Sequence, residues 1–499
     1  MNITRRIRNV LHYDDHKNIL GYKHNGIWNW CSRKELRLRT LNCINVLEKE
    51  NVNSFDRVVF KGNNSVDWVA WNIATNAIGA IWVPLYNNQS DDYVNHIIRD
   101  SKPKLMITNS LHHKGVNLIK PDTSQSNYDS KIPYCEKNDV VNLIYTSGTT
   151  GNPKGVILTH ENILSNISAI ENRFPDLQRQ KDLTTLNILP WAHIYSLTTE
   201  LFFNIMNENK IAISSGPDHL MSEIREIQPD VLYLVPRVLE LMKCKLEKFE
   251  KPFIQCALPY ILRYMFGQNL QTIFVGGAQL SASTRMFYEK YGIILCEGYG
   301  CTETSPMISV NHMKSPRDIN SVGKVMDNLL IKIVDGEIHI AGPSVMKGYW
   351  KQEETNKEIF ATFENNKNVY YKTGDEGYVK DGFLHYTGRI KDNYKLTNGK
   401  FVNVTKMEEK IAKHIRKPFM IYGANRPYNI IIIEDEEDMP CYQEFLLSIN
   451  QHIDNFAHIK DILFVQNGTF QQFQTPKMSL KRKELEKFLS NDIESVYAT

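Results

Sequence analysis

The sequence predicts an α/β fold: parallel-rich sheets covered by helices over most of its length, then a β-rich stretch, then a small α+β unit at the carboxyl end. Three observations carry this. Apolar runs of strand length alternate with stretches of helical period from Asp56 to Gly300, the pattern of strand–helix–strand units. Past Leu329 the helical stretches thin out and Asp-Gly turns separate alternating strands, as in "LLIKIVDGEIHIAG". At 499 residues the chain exceeds the roughly 250 to 300 at which one core stops growing, so at least two domains are expected.

Taken in order, "ILGYKHNGIWNW" predicts two short strands around an Asn-Gly turn. "SRKELRLRTLNCINVLEKEN" then predicts a helix with Ser32 as N-cap and Glu35 three residues on. A strand follows in "DRVVFKG", and "SVDWVAWNIATNAIGAIWVPLY" predicts an amphipathic helix running into a buried strand; "DDYVNHIIRDSKPKLMITN" repeats the unit. Residues 111–139 are polar and weakly patterned, a surface connection. A helix is expected from about Glu161, a strand and turn in "LNILPWAHIYS", and further alternation through "KIAISS", "HLMSEIREIQ", "DVLYLVPR", "QTIFVGG" and "GIILCEGYG". The order of the strands is not legible. Past Asp392, the strands "NIIIIED" and "DILFVQ" with two helices predict a compact α+β unit.

Composition excludes several classes. An apolar share of 42% and a charged share of 23% describe a soluble globular protein, and 59 basic against 56 acidic side chains leave only +3, which points to no nucleic-acid partner. Charges interrupt "MNITRRIRNVLHYDDH" before a signal-peptide core can form, and no apolar run reaches the roughly 20 residues of a membrane span. Eight cysteines, at 31, 43, 135, 244, 256, 296, 301 and 441, include no CxxC pair and read as reduced core residues of a cytoplasmic protein.

The stretch richest in chemistry is "LIYTSGTTGNPKGVILTHEN". Thr146, Ser147, Gly148, Thr149, Thr150 and Gly151 follow one another without a bulky side chain. Such a loop can lay N–H groups and hydroxyls against phosphate oxygens, with Lys154 as a point charge for the outer phosphates. GxxxxGK[ST] does not fit: Pro153 stands where its second glycine belongs and Gly155 follows the lysine. Next, "GYGCTETSP" puts Gly298 and Gly300 where a strand ends, the edge at which open α/β sheets place ligands. Glu303 there suits a hard cation that also takes substrate phosphates, or equally a salt bridge. In "YKTGDEGYV" and "GRIKD", Asp375 can accept from both hydroxyls of a ribose and Arg389 can reach the same sugar, although "TGDEG" also suits a plain hairpin turn.

The whole string from Tyr145 to Gly155 resembles the signature of the adenylate-forming superfamily, which includes acyl-CoA synthetases, luciferases and peptide-synthetase adenylation domains. "LPWAHIYS", "LTNGKFVNVTKMEEKI", "KPFMIYGANRPYNIIII", "IWVPLY" and "GPSVMKGYW" resemble segments of its long-chain fatty acyl-CoA synthetases, so the likeness covers nearly the whole chain from about residue 18. The resemblance implies an ATP site: Tyr299 on the adenine, Thr302 at the α-phosphate, Glu303 and Thr146 on Mg²⁺, Asp375 and Arg389 on the ribose, and Gly277, Ala278, Gly298 and Gly300 lining the nucleotide. It puts His193 near the acyl pocket. It also implies a large domain, 1–391, and a small mobile one, 392–499, turning about Asp392 between two half-reactions, with fatty acid, ATP and CoA as substrates and Mg²⁺ as cofactor. A lipid substrate makes peripheral association with membranes compatible with the cytoplasmic expectation.

One segment departs from the family. Where its long-chain members carry "LTPTMKLKR", with a lysine that contacts carboxylate and α-phosphate, this chain reads "QTPKMSLKR" and Ser479 takes the lysine's place. Loss of one such donor costs on the order of 3 kcal/mol of transition-state stabilisation. Three readings remain: Lys477 or Lys481 substitutes, the chain adenylates poorly, or it binds an adenylate without turning it over. Transfer to a carrier protein instead of CoA is the other alternative.

Overall fold

The computed structural model describes residues 2–109, 117–120, 131–134, 139–146, 153–180, 182–246, 255–364, 366–397, 400–412, 414–415, 417–435, 442–474 and 480–498. Its architecture is mixed α/β, with two large sheets and a small carboxyl-terminal one.

The first large sheet has seven strands. At its centre Ile81–Leu85 lies parallel to Arg57–Lys61, which lies parallel to Leu105–Thr108. Every residue of Ile81–Leu85 is buried, as a parallel strand covered on both faces requires. At one edge the sheet turns antiparallel: Val140–Thr146 pairs with Lys154–Thr159, and Lys154–Thr159 with Gly348–Tyr349. The opposite edge is Asn117–Ile119, parallel to Leu105–Thr108. The 111–139 stretch, expected as surface connection, therefore contributes a strand, because an edge needs only backbone pairing and leaves little sequence pattern.

The second sheet has 14 strands and joins two regions that the sequence separates. Thr184–Asn187, Val231–Leu234, Thr272–Val275 and Leu295–Gly300 run parallel, and the antiparallel pairing of Leu295–Gly300 with Met307–Val310 carries the same sheet into the β-rich stretch. The Asn-Gly hairpin forms as expected, with Asn25 and Gly26 both at positive φ, on this sheet's far edge. Ser32 caps the helix Arg33–Lys49 by accepting from the Glu35 N–H at 3.1 Å.

Two expectations change. The helix Val66–Ala77 is buried on all sides apart from Asp67, not amphipathic, because Trp68, Trp71 and Ile73 pack in one core with the neighbouring helix and the first sheet. Among the described cysteines, Cys31, Cys43 and Cys296 are buried, whereas Cys244 and Cys256 are exposed.

Residues from Leu396 onward build cores of their own, around Val402, Ile411, Ile421 and Ile431 and around Met420, Ile432, Leu485 and Ile493. Among the described residues, polar contacts tie this small unit to the large one. Asn403 Nδ2 donates to Glu376 Oε2 at 3.0 Å, and Gln279 Nε2 to Glu409 Oε2 at 3.5 Å.

Candidate active site

Thr146 ends one strand and Lys154 opens the next, and the two face each other in antiparallel register. The Gly/Ser/Thr string thus joins the two arms of a hairpin; Ser147, Gly148, Thr149, Thr150 and Gly151 themselves lie outside the described residues. The helix Asp91–Ser101 braces the arms. Tyr145 donates its hydroxyl to Asp100 Oδ2 at 2.5 Å, and His96 Nε2 lies 3.0 Å from the Pro153 carbonyl. Gly155 is needed for close packing, since a Cβ there would stand 2.8 Å from Leu143 Cδ1. On the other side Trp350 N–H donates to the Gly155 carbonyl at 2.7 Å, which brings Tyr349 beside Lys154, Nζ 5.5 Å from the ring centroid.

Glu303 sits in the turn Thr302–Thr304, directly past the strand Leu295–Gly300. Gly300 makes that turn possible: a Cβ would come within 1.9 Å of the Pro306 carbonyl oxygen. The helix His160–Arg173 fixes the turn from behind, with Asn166 Nδ2 donating to Met307 O at 2.9 Å, while Met346 N–H donates to Glu303 O at 2.8 Å. Tyr349 donates its hydroxyl to Glu303 Oε1 at 2.7 Å. Burial, and then the nearby Glu303 carboxylate, push the Tyr349 phenol well up, so it remains a donor.

Asp375 and Arg389 oppose each other across an antiparallel pair, with Arg389 Nε 3.3 Å from Asp375 Oδ1. Tyr299 donates to the other oxygen, Oδ2, at 2.7 Å. Oδ1 is buried and, although it faces Arg389 in an ion pair, makes no hydrogen bond, so it has capacity to accept one. Burial pushes the Asp375 carboxyl up to about 6, against the pull of Arg389 and the Tyr299 hydrogen bond; Glu303 and Asp392 add to the rise. Glu303 thus lies within electrostatic range of Asp375. Tyr299, which holds Asp375, is flanked by the Tyr386 ring at 5.4 Å.

Gly277 (φ +85°) and Ala278 lie exposed past the strand Thr272–Val275, with Gly276 against the Tyr195 ring. Gly298 is still within its strand, paired with Val310, and Thr302 is buried beside Glu303. Asp392 closes the turn Ile390–Asp392, which follows Arg389 directly.

The description "AMP-binding enzyme" fits residues 9–350, and that of the family's C-terminal domain fits residues 391–499. The chain belongs to the AMP-binding enzyme family. This AMP-binding enzyme is 24% identical to the long-chain-fatty-acid–CoA ligase FadD15 of Mycobacterium bovis, over 95% of this chain and 93% of that one. It is 26% identical to the chloroplastic long-chain-fatty-acid–[acyl-carrier-protein] ligase AEE15 of Arabidopsis thaliana, over 61% and 52%. Its fold matches ATP-bound MatB from Rhodopseudomonas palustris with a TM-score of 0.81 at 21% identity, over 98% of this chain and 99% of that one.

The remaining expected residues of the AMP-binding enzyme are His193 and the lysines near the carboxyl end. His193 lies in the turn ahead of a π-helix, Ser196–Phe202, and its Nδ1 accepts from the Tyr195 N–H at 3.3 Å. Lys477 and Ser479 lie outside the described residues; Lys481 is held by Glu484 at 3.0 Å. Sequence reasoning missed Tyr349 and Asn166. "KGYW" was available as a signal for the first, since an aromatic–glycine pair after an apolar run marks a turn into a wall, whereas nothing marks Asn166 among helix-face asparagines.

Proposed function

We propose that this AMP-binding enzyme joins a fatty carboxylic acid to ATP, releasing pyrophosphate to form acyl-AMP, and then passes the acyl group to the thiol of CoA, breaking the acyl–phosphate bond and releasing AMP. The observation that carries this is the open Oδ1 of Asp375, buried beside Arg389 and Tyr299 and within electrostatic range of Glu303. A ribose hydroxyl is the donor such an acceptor lacks.

In this reading Asp375 accepts from the ribose, Arg389 lies over the same sugar, and the Tyr299 ring offers a flat face to adenine. Lys154 meets the outer phosphates next to the hairpin's Thr146. Among the described residues no group of three or more His, Cys, Asp or Glu could hold a metal alone. Glu303, a carboxylate beside the phosphate lysine, fits Mg²⁺, which takes one or two carboxylates plus substrate phosphate oxygens. Bound there with Thr146, it would offset charge on the phosphates. The chain's own work is to bring carboxylate and α-phosphorus into line and exclude water, since no protein nucleophile is required. Rotation of the 392–499 unit about Asp392 then opens the acyl carbonyl to the CoA thiolate. Long-chain acids are favoured as substrate by the likeness to FadD15, and that lipid substrate is what would bring the enzyme to a membrane surface; among the described residues no helix is long and apolar enough to cross one.

ATP–pyrophosphate exchange across fatty acids of several lengths, followed by detection of acyl-CoA, tests this. Exchange with long-chain acids and thioester with CoA is expected; absence of exchange with every acid refutes it. Likeness to AEE15, named for ligation to acyl-carrier protein, supports a second reading in which holo-carrier replaces CoA in the second step.

A further inference from the structure

We propose that Tyr349 is a positioning residue that couples the phosphate lysine, Lys154, to the cation glutamate, Glu303. The inference rests on the nucleotide reading above and deepens it. Tyr349 touches both groups at once, through different parts of its side chain. Its ring faces the Lys154 ammonium at 5.5 Å, and its hydroxyl donates to Glu303 Oε1 at 2.7 Å.

The two contacts do different jobs. An aromatic face attracts an ammonium while remaining neutral, so Lys154 is steadied without its charge being cancelled, and the charge stays available to phosphate. A carboxylate in that place would compete with the substrate. The hydroxyl, in turn, occupies Oε1 and fixes the plane of the Glu303 carboxylate, leaving Oε2 as the oxygen for a cation. Partners of this kind orient metal ligands and tune their affinity.

Backbone geometry makes the tyrosine a rigid link. Tyr349 is paired with Val156 on the strand that carries Lys154. Asn356 holds it at both ends, Oδ1 accepting from Tyr349 N–H at 2.7 Å and Nδ2 donating to Tyr349 O at 2.9 Å. Upstream, Asn162 Nδ2 donates to Pro343 O at 2.7 Å and to Val345 O at 2.9 Å, and Met346 N–H donates to Glu303 O at 2.8 Å. The segment carrying the ring is thus tied to the phosphate strand on one side and to the Glu303 turn on the other. Movement of either element is felt at the other through this segment, on which the Tyr349 side chain contacts both charged groups.

Two substitutions separate the contacts. Tyr349→Phe keeps the ring and removes the hydroxyl; Tyr349→Leu removes both. The readout is the ATP-induced rise in melting temperature of the full chain, with Mg²⁺ titrated and, separately, with EDTA. Tyr349→Phe is expected to need roughly 10- to 100-fold more Mg²⁺ to reach the wild-type rise, with the rise in EDTA unchanged. Tyr349→Leu is expected to weaken ATP in EDTA as well. In a Glu303→Gln background, Tyr349→Phe should add nothing. Where Tyr349→Phe melts too low for the titration, Mn²⁺ occupancy in the presence of ATP is read by electron paramagnetic resonance at 4 °C, with the same expected loss. An unchanged cation requirement in Tyr349→Phe, or an equal change with and without Glu303, overturns the coupling alone. A wild-type chain that gives no ATP-induced rise overturns the nucleotide reading together with it.

Discussion

Asp375→Asn should make the ligand-free protein more stable at neutral pH while removing its response to ATP. Asp375 is 3% exposed, and burial, against the opposing pull of Arg389, raises its carboxyl from the ordinary 3.8 to about 6. The folded state therefore holds this proton more tightly than the unfolded state. Well below pH 3.8 both states carry it and nothing is lost. As pH rises through the window from 3.8 to about 6, the unfolded chain gives it up first and stability falls, reaching a full penalty of about 3 kcal/mol above pH 6, at about 1.36 kcal/mol per pH unit. Asparagine escapes the penalty but turns an amide towards the Arg389 guanidinium, a mismatch of about 1 kcal/mol. The balance is a gain of about 2 kcal/mol at pH 8, a rise of about 2 to 4 °C for a chain of this size, with the penalty that asparagine escapes about half as large at pH 5 and nearly gone by pH 4. Asparagine offers one neutral acceptor oxygen in place of two charged ones and puts donor N–H groups where the other stood, so the ATP-induced rise should shrink as for a ten- to hundredfold loss of affinity, or about 1.5 to 3 kcal/mol. Differential scanning fluorimetry at pH 4, 5 and 8, with and without ATP, measures all of this. A gain of equal size at pH 4 and pH 8, or no gain at pH 8, would refute the burial argument; a full ATP response in the variant would refute the ribose role.

Substitutions at three further positions probe the frame. Gly300→Ala sets a Cβ 1.9 Å from the Pro306 carbonyl oxygen, so the Thr302–Thr304 turn must shift, and a loss of melting temperature by circular dichroism together with loss of the ATP response is expected. His160, buried with its pKa lowered to about 4, is neutral in the fold and must charge on unfolding below 6.5, so stability is lost as pH falls from 6.5 towards 4; His160→Gln should flatten that decline in a pH series of urea melts. Glu200 is fully buried with its carboxyl pushed well up, chiefly by burial, and accepts from Asn187 at 2.6 Å. Glu200→Gln should leave the melting temperature nearly unchanged, whereas Glu200→Ala strands the Asn187 donor at a cost of about 1 to 3 kcal/mol.

How far the sequence could be read depends on the range of the interaction involved. Hairpins, caps and buried strands were legible because their causes lie within a few residues: Asn25 and Gly26 supply positive φ, and Ser32 reaches the Glu35 N–H. Sheet order was not, because pairing of Leu295–Gly300 with Met307–Val310 is what welds the parallel and β-rich regions, and no residue type announces that choice. In the candidate site the same division holds. Thr146, Lys154, Glu303, Asp375 and Arg389 are legible as chemistry in short strings, each with an innocent use as turn or ion pair. Their meeting is not, because it depends on contacts between residues 46 and 76 positions apart, Tyr349 with Glu303 and Tyr299 with Asp375. Two tyrosine hydroxyls thus do the joining, and tyrosine is the residue a pattern search assigns to the core. A phenol kept protonated by burial can donate to a carboxylate without neutralising it, which a lysine or arginine in the same place would not do. At both joints the donor is a neutral phenol on one carboxylate oxygen, while Arg389 faces the other oxygen of Asp375.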